Sequence, residues 1–364
     1  MSAASGAGAA SAETSIADVV RAEVQRTLQR SIKGLNYIFS GDPPSGLTAK
    51  DVIYERGTLS LWHYRALASE VYRTPLLLVM SLVSKSYILD LAPGQSFIEF
   101  LLKQGYDVYL IDWGIPRPED KGLRLDDYVL DFIPDCIEKI QADSGEKDIS
   151  IIGYCMGGML ALIYAALHPE GPLKNLVCLT TPVNYEGMKL MRQWTDKRYF
   201  DLDRIVDTLG NVPPELIYAS FDMLRPAAKI ASQIRLWDNM WNDEFVKSYR
   251  MFERWAADQI PFPGECFRQT TKDLMWDNKL IKNELMIGGR LVDLKKIVVS
   301  FLAVMAEHDH IVPYESAKEL IALIGSTDKK DIVLKGGHVS LVAGPNAVRR
   351  LWPELDRWLS ERSI

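Results

Sequence analysis

Short, wholly apolar runs alternate along most of this chain with longer stretches whose apolar residues recur every three or four positions. The runs at 76–83, 106–112, 149–154 and 175–181 read as strands, and 96–104, 125–142 and 159–167 between them read as helices. The alternation resumes with a strand at 297–306, a helix at 314–324, a strand at 332–334 and a terminal helix ending near Glu361. Strands apolar on both faces, separated by helices, predict a mostly parallel sheet covered on both sides. Ahead of them, 52–55 and 59–64 flank Arg56-Gly57-Thr58 and read as a hairpin.

Two regions break the pattern. Residues 1–14 are mostly small, and a flexible segment is expected there. From Ser15, a capping residue with Asp18 three positions on, a helix is expected with Ile16, Val19, Val20, Val24, Leu28, Ile32 and Leu35 on one stripe. Packing of that stripe on the main body is the ordinary reading; the opposite face, with Arg21, Glu23, Arg26, Gln29 and Arg30, also allows a partner-helix role. GDPPSG at 41–46 reads as a linker, so 1–45 is set apart from the core. Residues 184–293 are helical in pattern and rich in tryptophan (Trp194, Trp237, Trp241, Trp255, Trp276). Plain helical packing would explain the aromatics. Position favours a cap, because the insertion follows the sixth strand and leaves and rejoins at the sheet end where α/β active sites lie. The core is then 46–183 together with 294–364.

Composition narrows the function class. The 364 residues are 48% hydrophobic and 25% charged with a formal net charge of −6, which suits a soluble globular protein and disfavours nucleic-acid binding. The N-terminus lacks the pattern of a secretory signal, and no apolar run is long enough for a transmembrane helix. Four cysteines without paired spacing predict free thiols in a reducing cytoplasm and no metal site.

The chemistry gathers at DISIIGYCMGGM, 148–159. A β-branched run, a glycine, Cys155, two glycines and a helix-forming segment make the strand–turn–helix of a nucleophile elbow, with cysteine as nucleophile, and predict an α/β-hydrolase fold. A thiol at a helix N-terminus is favoured as thiolate. Exchange between two thioesters is nearly isoenergetic, so a cysteine suits an acyl group already activated on a thiol. The fold orders its residues nucleophile, acid, histidine. Of five histidines, His338 in LKGGHVS follows the last strand and fits the base; His63 and His168 read as surface residues. Asp309 in AEHDHIVP follows the preceding strand and fits the acid, with Glu307 as competitor. His310 suits either a supporting role near the site or a surface position. An oxyanion hole needs two backbone N–H groups, expected from Met156 and from Val83 after the third strand. Cys136 and Cys178 read as core residues, while Cys266 is left open.

From about residue 47 onward the chain resembles the poly(3-hydroxyalkanoate) synthases, in particular the short catalytic subunits of the two-component classes III and IV. The resemblance rests on SYILDL (86–91), DVYLIDWG (107–114), LDDYVLDFIP (125–134), GYCMGG (153–158), VDTLGNVPPE (206–215), GRLVDLKKI (289–297), DHIVP (309–313) and GGHVSLVAGP (336–345). GYCMGG and DKRYFDLD (196–203) are most similar to class IV. The resemblance implies polymerisation of (R)-3-hydroxyacyl-coenzyme A, most often 3-hydroxybutyryl-CoA, with Cys155 as nucleophile, His338 as base and Asp309 as acid. It implies no cofactor, since the coenzyme A thioester is substrate. It further implies a second synthase subunit, a homo- or hetero-oligomer, and a place at the polyester granule surface. The alternative on the same fold is a cysteine thioesterase. The chain departs from the family at Met80-Ser81, usually Tyr-Ala, and at Ser84-Lys85-Ser86, usually Asn-Lys-Pro.

Overall fold

The computed structural model describes residues 16–39, 41 and 43–364, so the expected cap at Ser15 and flexible segment 1–14 lie outside the described residues. The described chain divides into two compact units. One comprises Pro44–Pro226 and Met251–Ile364; the other joins the described part of Met1–Pro43 to Ala227–Arg250, so the middle of the 184–293 insertion groups with the N-terminal helix.

The larger unit is built on an eight-stranded sheet. Its strands are β1 (Lys50–Arg56), β2 (Leu59–Tyr64), β3 (Leu76–Val79), β4 (Val108–Asp112), β5 (Ile149–Tyr154), β6 (Leu173–Leu179), β9 (Ser300–Ala306) and β10 (Lys329–Leu334). They lie in the order β1-β2-β4-β3-β5-β6-β9-β10. From β4 to β10 every pairing is parallel, and only the β1–β2 hairpin and its junction with β4 are antiparallel. The wholly apolar strands follow from this position: Leu77 and Val79 of β3 enter the hydrophobic core on one face, Leu76 and Leu78 that on the other. The helices Phe97–Lys103, Ile133–Ser144, Met156–Leu167 and Trp352–Ser360 supply much of the covering layers.

Differences from the sequence reading have local causes. β3 stops at Val79, where the chain turns with the carbonyls of Val79 and Met80 against the helix after β5. The helix expected over 125–142 contains a π-turn, Tyr128–Phe132, before Pro134, whose ring nitrogen cannot donate a helical hydrogen bond. Within the insertion, Met286–Ile287 (β7) and Arg290–Leu291 (β8) form a hairpin. Its turn, Gly288-Gly289, has both residues at positive φ, and two-residue strands are too short to show alternation.

Parts of the insertion belonging to the larger unit are tied down near the sheet end. Ile260 N donates to Val83 O (3.1 Å), Trp255 Nε1 donates to Lys85 O (2.8 Å), and Val212 and Phe262 exchange backbone bonds.

In the smaller unit, the N-terminal helix Ile16–Phe39 packs through its polar side. Lys33 Nζ donates to Trp241 O (2.9 Å) and pairs with Asp243 (2.7 Å), and the Arg250 guanidinium stacks over Tyr37 (4.2 Å). Within this unit the apolar stripe is left uncovered: Leu28, Ile32 and Leu35 are about 60% exposed.

Candidate active site

Tight backbone packing creates the elbow. Cys155 lies between β5 and the helix Met156–Leu167 at φ 55°, ψ −120°, a conformation an L-residue adopts only when its surroundings enforce it. The enforcement comes from both sides. Cys155 N donates to Leu179 O of β6 (2.8 Å), which fixes the end of the strand. A Cβ on Gly157 would lie 2.1 Å from Val79 O, and one on Gly158 1.9 Å from Thr181 Oγ1, so the helix approaches as closely as it does only with glycine there.

The residues expected as acid and base come from neighbouring strand ends. Asp309 follows β9 and His338 follows β10, the two strands being parallel neighbours. Asp309 Oδ2 lies 2.7 Å from His338 Nδ1, with the Asp309 side chain fully buried and that of His338 5% exposed. The other oxygen, Oδ1, accepts the backbone N–H groups of Ile311 (2.8 Å) and Val312 (2.9 Å). Both oxygens are thereby engaged, and the carboxylate is fixed in one orientation. Cys155 is the second group that acts electrostatically on the His338 ring. Burial disfavours charge on the imidazole, but the Asp309 carboxylate and then Cys155 outweigh it and hold the ring above its ordinary pKa. Asp309 and His338 thus form a buried hydrogen-bonded pair, with Cys155 as the imidazole's other electrostatic partner; a base so held is of the kind that can activate an adjacent thiol.

The remaining expected residues fall as follows. Met156 is the first residue of the elbow helix, so its N–H has no intrahelical acceptor. Val83 lies half-buried in the loop that starts at Met80, whose carbonyl also presses on Gly157. His310 is half-buried, its Nδ1 enclosed without a hydrogen-bond partner; burial pulls its pKa down, against the nearby Asp309 charge. Glu307 is exposed and does not compete with Asp309. Cys155 is half-buried while Cys136, Cys178 and Cys266 are buried, and burial pushes the Cys136 thiol up to about 12. Cys266, left open by the sequence, is a core residue. Among the described residues no cluster of His, Cys, Asp and Glu could hold a metal ion.

Two residues were missed. Tyr154 packs its ring 5.1 Å from that of His338, and its hydroxyl donates to the His338 carbonyl (3.4 Å); its place just before the nucleophile was the available signal. His63, expected at the surface, is half-buried on the sheet, with Nε2 2.8 Å from Asp107 and Nδ1 2.8 Å from Asp143. Neither carboxylate is near His63 in sequence.

Comparison with known proteins accords with this geometry. A family model for the alpha/beta hydrolase fold matches residues 88–345, and one for the poly-beta-hydroxybutyrate polymerase (PhaC) N-terminus matches 44–101. The chain is similar to the poly(3-hydroxyalkanoate) polymerase subunit PhaC of Allochromatium vinosum, 34% identical over 87% of this chain and 90% of that protein. It is also similar to the subunit of the same name from Synechocystis, 33% identical over 91% and 89%. The Haloferax mediterranei subunit is 36% identical over 87% of this chain, which spans 65% of that relative's length. Among solved structures, a lipase candidate from Sulfolobus solfataricus (TM-score 0.55, 17% identity, 86% of this chain and 99% of that one) shares the fold. A monoacylglycerol lipase from Paleococcus ferrophilus does so too (TM-score 0.50, 18% identity, 82% and 99%). By sequence similarity across nearly its whole length, and on an α/β-hydrolase fold, the chain belongs to the poly(3-hydroxyalkanoate) polymerase subunit PhaC family.

Proposed function

We propose that this protein is an acyltransferase that polymerises (R)-3-hydroxyacyl-coenzyme A, with short-chain 3-hydroxybutyryl-CoA as the expected substrate, through a covalent acyl-cysteine. The observation that carries the reading is the buried His338–Asp309 pair together with Cys155 on its strained elbow, in a chain that resembles proteins named as polyester polymerases along most of its length.

In the first step His338 accepts the Cys155 proton, the sulfur attacks the thioester carbonyl, and the carbon–sulfur bond to coenzyme A breaks. The coenzyme A thiolate leaves with the proton from His338. The developing oxyanion is met by the N–H groups of Met156 and Val83. In the second step the 3-hydroxyl of another acyl unit gives its proton to His338 and attacks the acyl-cysteine, forming an ester and freeing Cys155. Asp309 has both oxygens engaged, which supports a role through His338 in both steps instead of direct contact with the incoming hydroxyl. Water must be kept from the intermediate, and the insertion segments anchored at 255–262 suit a cap. A second synthase subunit and a place at the polyester granule surface belong to the same proposal, as does His310 in a supporting role.

With 3-hydroxybutyryl-CoA, the purified protein should release coenzyme A and turn turbid, and Cys155→Ala should do neither. The rival reading, a cysteine thioesterase, is favoured if coenzyme A is released and free hydroxy acid is the sole product.

A further inference from the structure

Beside the elbow, at the carboxyl ends of β3 and β4, lies a cavity of about 390 Å³ that none of the steps above uses. It shares the loop from Met80 to Tyr87 with the proposed oxyanion hole. One wall holds Met80, whose carbonyl touches the elbow helix at Gly157 and accepts Trp113 Nε1 (3.0 Å). Another holds Ile260, whose N–H donates to Val83 O. Trp62, Trp113 and Ile115 give it an aromatic and aliphatic interior.

The charged groups of the lining are already committed within the protein. Lys50 lies over the Trp62 ring (4.6 Å to its centroid) and donates to Gly46 O (3.0 Å). Lys85 pairs with Asp258 (2.9 Å). Asp112 accepts Ser86 Oγ (2.5 Å) and Gly114 N (2.8 Å), and Asp90 accepts three hydrogen bonds from Thr48 and Ser96. An anionic ligand would have to break a pair and face the carboxylates of buried Asp90 and half-buried Asp112. An uncharged chain would not: its alkyl parts match the rings and its ester oxygens need only an occasional donor. The Ser86–Asp112 contact fixes this wall, and a residue without a hydroxyl at 86 cannot make it.

We propose that this cavity holds the uncharged ester segment of the growing polyester while the next acyl unit is loaded at Cys155. The inference rests on the polymerase reading. It gives a ping-pong polymerase a place for a product several units long at the loop that carries the proposed oxyanion donor, so that the chain is retained between additions.

The test uses the full chain and a methyl-ester-capped tetramer of (R)-3-hydroxybutyrate. Ile115→Trp fills the cavity from a position that is 55% exposed, so folding is not at stake. Titrated by calorimetry against the Cys155→Ala protein, the tetramer should bind, and adding Ile115→Trp should weaken binding about tenfold or more. In the catalytically intact protein Ile115→Trp should leave the single-turnover release of coenzyme A unchanged but shorten the polymer severalfold. Ser86→Ala should shift both readouts the same way, by less. Equal tetramer binding with and without Ile115→Trp, no binding at all, unchanged polymer length, or displacement of the tetramer by free coenzyme A would each overturn the proposal. Absence of single-turnover release in the unmutated protein would instead overturn the polymerase reading, independently of tetramer binding.

Discussion

Two helices of this protein use their apolar residues in opposite ways. Met156–Leu167 is apolar on all sides, and every residue from Gly157 to Leu167 is buried. It belongs to the core, and its N-terminus carries Cys155. Ile16–Phe39 is amphipathic, yet Arg30 and Lys33 make its packing contacts at the end of the helix Pro226–Asp238 while Leu28, Ile32 and Leu35 stay exposed. The basic side chains meet carbonyls there, a favourable pairing at a helix C-terminus. Periodicity states which side of a helix is apolar; it does not state which side is covered. All-round apolarity leaves no such choice, which is why the elbow helix was the more legible of the two.

Substitutions can break or sharpen that contrast, and the largest effect belongs at the elbow. Asp309→Asn removes the carboxylate charge that orients and charges His338, and should lower the rate of coenzyme A release about 10³-fold with the fold retained. Gly157→Ala puts a methyl group into the backbone of Val79 and Met80; a destabilisation of about 3 kcal/mol or more is expected in urea unfolding, with activity lost. Met159→Ala, in the same helix, should cost about 2–5 kcal/mol because Met159 is fully buried. Ile32→Glu on the exposed stripe should change stability by no more than about 0.5 kcal/mol. A loss comparable to that at Met159 would mean the stripe is covered in solution and would erase the contrast.

A smaller effect should depend on pH. Burial disfavours charge on His63, but hydrogen bonds and charge from Asp107 and Asp143 raise its pKa above the ordinary imidazole value. The stabilisation it provides is therefore complete below about pH 6.5 and is lost as the pH rises through the folded value. His63→Gln should cost about 1 kcal/mol near pH 6, and the difference from the unmutated protein should narrow in alkaline buffer. A gap that widens with pH would reverse the assignment of His63 as an imidazolium.

The candidate site was legible to a high degree because its parts are local. A strained strand–turn–helix needs small residues at fixed offsets, so GYCMGG displays itself in the sequence. Asp309 and His338 follow identifiable strands, so chain order gave their positions. Contacts assembled from distant segments left less trace. Tyr154 against His338, Thr181 against Gly158 and the two carboxylates on His63 are ordinary residues until the sheet brings them together.

By itself, the sequence determined the α/β alternation, the elbow with its cysteine, and the places of Asp309 and His338 after successive strands, all of which depend on spacing along the chain. Tertiary structure alone decided the rest. It placed both Asp309 oxygens in hydrogen bonds, grouped Ala227–Arg250 with the N-terminal helix, and opened a cavity between Trp62, Met80 and Ile115. The physical reason is that such features depend on distances between segments far apart in the chain. Hydrophobic periodicity constrains which faces of an element can be buried, but carries no record of what lies opposite them.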